Sequence, residues 1–154
     1  MKHNIRIAKP EDFTIIQKLC DELYKDNESF DQHLDTNWSF SKNGIDYFKK
    51  VLSAKDHCCL LAEIDGRPAG FLLGGPKKLD YRIVSMAEIQ NIGVSRDYRS
   101  LGIGTSLISR FRQWSREHGY QQIYVAAYYL NTRAVVFYKR QGLTPLDLSL
   151  EMDL

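Results

Sequence analysis

A mixed β-sheet flanked by helices, in one α/β (α+β) domain, is the fold class this sequence predicts, and three observations carry it. Two apolar runs, Cys58 to Ile64 and Pro68 to Gly75, flank Asp65-Gly66, a dipeptide whose tolerance of positive φ makes a tight hairpin turn. A strand candidate at Val84 to Val94, an amphipathic stretch from Gly102 to Glu117 and another strand candidate at Ile123 to Leu130 follow in turn, a strand–helix–strand unit. Leu, Ile, Val and Phe supply 42 of 154 residues, enough for a core, while the length leaves no room for a second full domain. Residues 1–154 are therefore expected to form a single domain.

Each element has a local reason. Asn4 to Ala8 alternates polar residues with Ile5 and Ile7, a strand pattern, and Pro10-Glu11-Asp12 then opens a helix with apolar residues at 13, 15, 16, 19, 20 and 23. Residues 21–36 carry Asp21, Glu22, Asp26, Glu28, Asp31 and Asp35 against Lys25 alone, an acidic connection to a second helix through Ile45, Phe48, Val51 and Leu52. After the hairpin and a polar stretch around Lys77 to Arg82 comes the strand ending at Val94. The next helix places Ile103, Leu107, Ile108, Phe111 and Trp114 on one face and ends at His118-Gly119. Asn131 or Thr132 can cap a short helix through Tyr138, with Gly142 as its stop, and Leu148 to Leu154 reads as a final strand. The expected order is β, α, α, β, β, β, α, β, α, β.

Charge and cysteine content narrow the class. Twenty-one Lys and Arg against 19 Asp and Glu leave a net charge of +2, which points to neither nucleic acid nor an anionic membrane. Cys20, Cys58 and Cys59 are odd in number and form no C-x-x-C; they read as buried structural thiols. His3, His33, His57 and His118 lack ligand spacing, so no metal is expected. No segment approaches the roughly 18 apolar residues of a membrane span, and the first residues hold no sustained apolar core, so a cytoplasmic location is expected.

The sharpest signal is Arg99-Ser100-Leu101-Gly102-Ile103-Gly104-Thr105, between a strand and an amphipathic helix. Glycines let a ligand approach the backbone, and the free N–H groups of a helix start favour an anion, so the loop can cradle a pyrophosphate. Arg96, Arg99, Arg110, Arg112 and Arg116 lie in or after it with Asp97 the only acid through residue 116, giving a positive local field. A dinucleotide fold would want a small residue at Leu107 and a later acidic ribose partner; a Walker loop would want Gly-Lys-Ser/Thr. Neither is present.

Arg99-x-x-Gly102-x-Gly104 after a strand resembles the acetyl-coenzyme A loop of the GNAT N-acetyltransferases. Ile92-Gly93-Val94-Ser95-Arg96-Asp97-Tyr98 before it, and Asn131-x-x-Ala134-x-x-Phe137-Tyr138-x-x-x-Gly142 after it, are similar to that family's other blocks in order and distance. The resemblance covers essentially the whole chain and implies the acyl-coenzyme A N-acyltransferase fold, with acetyl-coenzyme A as cosubstrate. It implies that the pantetheine arm pairs with the backbone of Ile92, Gly93 and Val94 while the loop from Ser100 through Leu101, Gly102, Ile103, Gly104 and Thr105 holds the pyrophosphate. Gly93, inside a strand, also signals a close backbone approach or a bulge. Arg99 either neutralises phosphate oxygens or decorates a turn, the former favoured by the glycines beside it. Asn131 either hydrogen-bonds the cofactor, as the family places it, or caps a helix.

Transfer to an amine needs a neutral nucleophile, a stabilised oxyanion and a protonated leaving thiolate. Glu88 resembles the carboxylate that histone-type members use as general base, and desolvation in an apolar strand would raise its pKa usefully; an outward-facing or ion-paired strand residue is the alternative. Gln90, on the same face, could orient the acceptor. Tyr138, at the family's Phe-Tyr position, could protonate the thiolate or simply pack in its helix. Asp26, Glu28, Asp31 and Asp35, followed by Trp38 and Phe40, could attract and cover a cationic amine, or form a solvated acidic loop.

The expected function is direct acetyl transfer from acetyl-coenzyme A to a primary amine, with a small cationic acceptor favoured. A protein lysine or amino-terminal amine as acceptor, and a non-catalytic acyl-coenzyme A sensor, remain open alternatives. No nucleic acid or membrane partner is expected. The resemblance is consistent with a homodimer, and the apolar ending Leu148 to Leu154 could be part of such a contact or an ordinary last strand.

Overall fold

The structure, a computed structural model, describes residues 2–154. Strands β1 (His3–Ile7), β2 (Cys58–Ile64), β3 (Arg67–Lys77), β4 (Met86–Val94) and β5 (Gln122–Val125) form one sheet in the order β1-β2-β3-β4-β5. The first four are antiparallel neighbours, and β5 joins β4 in parallel from Met86↔Gln122 to Ile89↔Val125. The β2–β3 hairpin turns at Asp65 and Gly66, with φ of 49° and 74°, the two positive angles that a right-twisted pair of strands needs.

Helices α1 (Phe13–Asn27) and α2 (Lys42–Ser53) cover one face, and α3 (Ile103–Glu117) and α4 (Thr132–Arg140) the other. Alternation along β2 and β3 sends chain neighbours to opposite sides. Leu60 and Leu72 meet Leu107 and Phe111, while Leu61 and Leu73 meet Ile16 and Phe48. With both faces covered, these strands become nearly continuous apolar runs, and each fully buried Leu or Phe contributes about 1.5–3 kcal/mol of burial free energy. Ser41 Oγ accepts from Gly44 N at 3.1 Å and caps α2. The turn before α1 is tied to β1: Asp12 Oδ1 and Oδ2 each accept from the Arg6 guanidinium at 2.8 Å, and Oδ2 also accepts from Lys9 N.

Three expectations are corrected. No strand forms over Leu148 to Leu154: residues 143–154 have no regular secondary structure, because a ladder needs a neighbouring backbone and no strand lies beside them. The strand expected at Ile123 to Leu130 stops at Val125, where β4 and β5 part. The irregularity in β4 falls at Gln90, between the pairs Gly74↔Ile89 and Leu73↔Asn91, and not at Gly93. Gly93 serves the other purpose: a Cβ there would stand 2.9 Å from the Phe71 ring.

Candidate active site

The site begins where β4 leaves β5. Pairing ends at Ile89↔Val125, and the extra residue Gln90 turns the strand, so beyond it β4 has β3 on one side and no strand on the other. That free edge, Ile92 to Ser95, lines an open cavity of about 880 Å³ bounded by α1, the loop after β4, and the starts of α3 and α4.

At one end of the cavity α3 starts without a side-chain cap and without an acid in its first turn. Its N-cap Gly102 has φ +80° and Ser100 has φ +66°, so the backbone bends tightly and directs the first amides of α3, from Ile103 to Thr105, to the cavity wall. A Cβ on Gly102 would meet nothing within 4 Å; φ and not space calls for glycine. Uncapped N–H groups at the positive end of a helix make this wall receptive to an anion.

The arginines are less free than the sequence predicts. Arg99 Nε donates to Val94 O at 3.0 Å, and its terminal nitrogen pairs with Asp26 of α1; Arg96 pairs with the same carboxylate. Burial alone would raise the pKa of Asp26, but the guanidiniums of Arg96 and Arg99 overcome it and hold that carboxyl below its ordinary range. Glu22, one turn earlier, accepts from Ser95 Oγ at 2.9 Å and from Arg96 N at 2.8 Å. The positive field expected at the loop is therefore partly neutralised by α1, a correction no local reading of residues 96–116 could make.

On the opposite wall, Asn131 Oδ1 accepts from Ala134 N at 3.1 Å, so Asn131 caps α4, which leaves its amide N–H₂ unused by that contact. Tyr138 lines the same cavity, and burial pushes its phenol up to about 12. The cavity thus gathers Ile92, Gly93, Val94, Arg99, Ser100, Gly102, Ile103, Gly104, Thr105, Asn131 and Tyr138, while Leu101 packs against the core beside them.

The remaining expected site residues lie elsewhere. Glu88, on β4 before the bulge, has Oε1 3.6 Å from Lys77 Nζ, and that ammonium also sits 4.9 Å from the Tyr124 ring centroid. Gln90 Oε1 and Asn91 Oδ1 lie 2.9 and 2.7 Å from the Tyr47 hydroxyl, whose one proton serves one acceptor at a time. Asp31 accepts from Tyr128 Oη at 2.9 Å, and Asp35 accepts from Asn37 N in an exposed turn. Trp38 stacks on Tyr24 at 5.3 Å and packs against Tyr47 and Phe48, so it fills the seam between α1 and α2 instead of covering an open pocket. Tyr47, Asn91 and Tyr128 went unnoticed in the sequence because an isolated polar residue on an apolar face carries no spacing signal. Among the described residues, no group of three His, Cys, Asp or Glu could hold a metal ion, and no helix is long and apolar enough to cross a membrane.

Comparison with known proteins follows the same outline. The acetyltransferase (GNAT) family matches residues 16–143. An uncharacterized N-acetyltransferase of Methanocaldococcus jannaschii, MJ1207, is 31% identical over 99 residues, which make up 62% of this chain and 43% of that protein. The matched region spans less than half the length of the curated relatives. Among solved structures, a mutant of the BH1408 protein from Bacillus halodurans superposes with a TM-score of 0.84 at 17% identity, covering 98% of this chain and 99% of that one. The aminoglycoside acetyltransferase HMB0005 from an uncultured soil sample gives 0.75 at 18% identity, covering 100% and 99%. At such identities the likeness speaks for the fold.

Proposed function

The chain belongs to the acetyltransferase (GNAT) family, and from that premise we propose that it is an N-acetyltransferase that uses acetyl-coenzyme A and acetylates a primary amine, a small cationic one by preference. One observation carries the reading: the free edge of β4 and the uncapped start of α3 line one cavity. An extended arm bearing amides and ending in a pyrophosphate fits such a wall, with strand-like pairing along Ile92 to Val94 and anion binding from Leu101 to Thr105. The cosubstrate, when bound, supplies an activated acetyl thioester.

This chain's own groups divide the remaining work. Arg99 exchanges part of its contact with Asp26 for phosphate oxygens, and Asn131 offers its amide hydrogens from the cap of α4. The backbone amide near Ile92, on the free edge of β4, is the donor assigned to the oxyanion. Tyr138 keeps its proton on Oη at neutral pH, since burial holds the phenol near 12, and is the donor for a departing thiolate. Glu88 accepts the amine proton, directly or through water, in competition with Lys77. Gln90, held by Tyr47, orients the acceptor, while Asp31 and Asp35 attract a cation towards that side. The aminoglycoside acetyltransferase among the structural neighbours agrees with a cationic amine, as does the acidity of residues 21–36.

The test is amine-dependent thiol release from acetyl-coenzyme A across polyamines, aminoglycosides, amino acids and basic peptides. The thiols of Cys20, Cys58 and Cys59 are buried and pushed up to about 12, so protein blanks should be low. Turnover with small amines is the expected result. Turnover with peptides alone would move the acceptor to proteins, and cofactor binding without turnover on any amine would leave a sensor.

A further inference from the structure

Two successive glycines at the end of β3 make room on opposite faces of the sheet. A Cβ on Gly74 would stand 2.3 Å from the Phe111 ring on the α3 side; one on Gly75 would stand 2.5 Å from Cδ2 and 2.6 Å from Nε2 of His57 on the other. Gly75 is paired with Glu88, and Glu88 with Tyr124. His57, one residue before the pair Cys58↔Gly74, completes a row of His57, Gly75, Glu88 and Tyr124 along one face. Only glycine in that row lets the imidazole lie over β3. Residues directly opposite one another on neighbouring strands have Cβ atoms about 5 Å apart, so His57 Nε2 and the Glu88 carboxyl come within reach, directly or through one water.

His57 Nδ1 lies 2.7 Å from Asp56 Oδ1, which assigns the ring proton to Nδ1 and leaves Nε2 as an acceptor. The Asp56 side chain is 65% exposed and that of His57 11%, so the pair leads from solvent to the covered face of the sheet. The bond to His57 holds the Asp56 carboxyl below its ordinary range, with Lys50 in the last turn of α2 acting in the same sense. Around Glu88 stand Lys77, 3.6 Å away, and the phenols of Tyr47 on α2 and Tyr124 on β5. The ammonium of Lys77 has no lone pair to take a proton, whereas Nε2 of His57 has one.

Building on the acetyltransferase reading, we propose that His57 relays the proton collected by Glu88 to solvent. Acetylation of an ammonium forms an amide and a thiol and leaves one proton over. Glu88 takes that proton from the amine nitrogen and passes it to the lone pair of His57 Nε2. The carboxylate is restored, and the ring becomes an imidazolium beside Asp56. The imidazolium then gives one proton to water or buffer and returns to the neutral Nδ1–H form. Glu88 is only 21% exposed, and an amine lying against it closes that opening, while the route through His57 stays open. His57 acts through Glu88 and lies outside the cavity proposed for acetyl-coenzyme A.

Nitrogen-15 spectra of the histidines, with His57 assigned by its loss in His57→Ala, test the geometry without turnover. The expected result is the Nδ1–H tautomer in the neutral ring and an Nε2 resonance that moves in Glu88→Gln. An Nε2–H tautomer, or an Nε2 resonance indifferent to Glu88→Gln, overturns the proposal. Rates give the second readout. His57→Ala should lower kcat by about ten-fold with both KM values unchanged, and imidazole added to the buffer should restore the rate in proportion to its concentration. Asp56→Asn, at an exposed position, should lower kcat several-fold and serves if removal of the ring unfolds the chain. Wild-type kcat in these variants, or a loss in His57→Ala that imidazole does not relieve, overturns the relay. No turnover of any amine by the wild type would overturn the acetyltransferase reading and the relay's task with it; turnover with a His57 indifferent to Glu88 overturns the relay alone.

Discussion

The proton-transfer roles proposed for Tyr138 and Glu88 separate by their surroundings. Tyr138 sits among apolar groups, and its phenol near 12 keeps its proton throughout the working range, so it should impose no alkaline limb below about pH 10. Tyr138→Phe should lower kcat by about ten-fold with KM for acetyl-coenzyme A little changed, because a thiolate leaves readily even without an acid. Full activity in that variant would return Tyr138 to packing. Glu88→Gln should lower kcat by about a hundred-fold and leave calorimetric acetyl-coenzyme A affinity intact, since Glu88 lies outside the cavity that would bind it. An unchanged pH–rate profile would remove Glu88 from the mechanism. At this scale the sequence pointed to residues inside a patterned block, Asn131 and Tyr138, and the structure brings both to one cavity. The sequence was silent on Tyr47, Asn91 and Tyr128, whose contacts span 97 positions in the case of Tyr128 and Asp31.

The loop before α3 and the helix α1 interact as elements. A Cβ at Gly104 would lie 3.0 Å from Phe137 Cζ, so a side chain there must displace the α4 ring or fill the groove. Gly104→Arg should therefore weaken acetyl-coenzyme A binding by at least about ten-fold in calorimetry while the circular dichroism spectrum stays native. Unchanged affinity would show that the loop is not the binding wall. Asp26 acts in the opposite sense. Its carboxylate occupies Arg96 and Arg99 beside the site proposed for a pyrophosphate, and Asp26→Asn removes one negative charge from that wall. The variant should bind acetyl-coenzyme A several-fold more tightly at low ionic strength, an advantage that shrinks as salt rises. Equal affinities at every salt concentration would mean that Arg99 never reaches the phosphates. The Asp26 effect requires α1 to meet the β4–α3 turn, a contact between residues about 70 positions apart that no local pattern announces.

Across the whole molecule, acid stability should follow the pair that ties β1 to the start of α1. Hydrogen bonds from Arg6 lower Asp12 to about 2 against the opposing effect of burial. A carboxylate lowered on folding stabilises the native state fully above its ordinary value of 3.8, and that contribution is lost as pH falls from about 4 through about 2. Asp12→Asn should cost about 2 kcal/mol in urea denaturation at neutral pH, with the gap to wild type closing over that window. A constant gap from pH 6 to 2 would contradict the assignment.

Much of the fold was legible because its signals are local. The Asp65-Gly66 turn, the apolar face of residues 103–114 and the helix stop at His118-Gly119 each depend on backbone geometry within a few residues. The anion-receptive loop was legible for the same reason: Gly102 and an uncapped helix start are defined by adjacent positions. Tertiary structure alone decided where β4 parts from β5, that the irregularity falls on Gln90, that Asp26 holds the loop arginines and that Trp38 faces inward. It also left residues 143–154 unpaired despite their alternation. Periodicity records which face of an element will be apolar, whereas hydrogen-bonded pairing and long-range ion pairs depend on what the rest of the chain brings alongside.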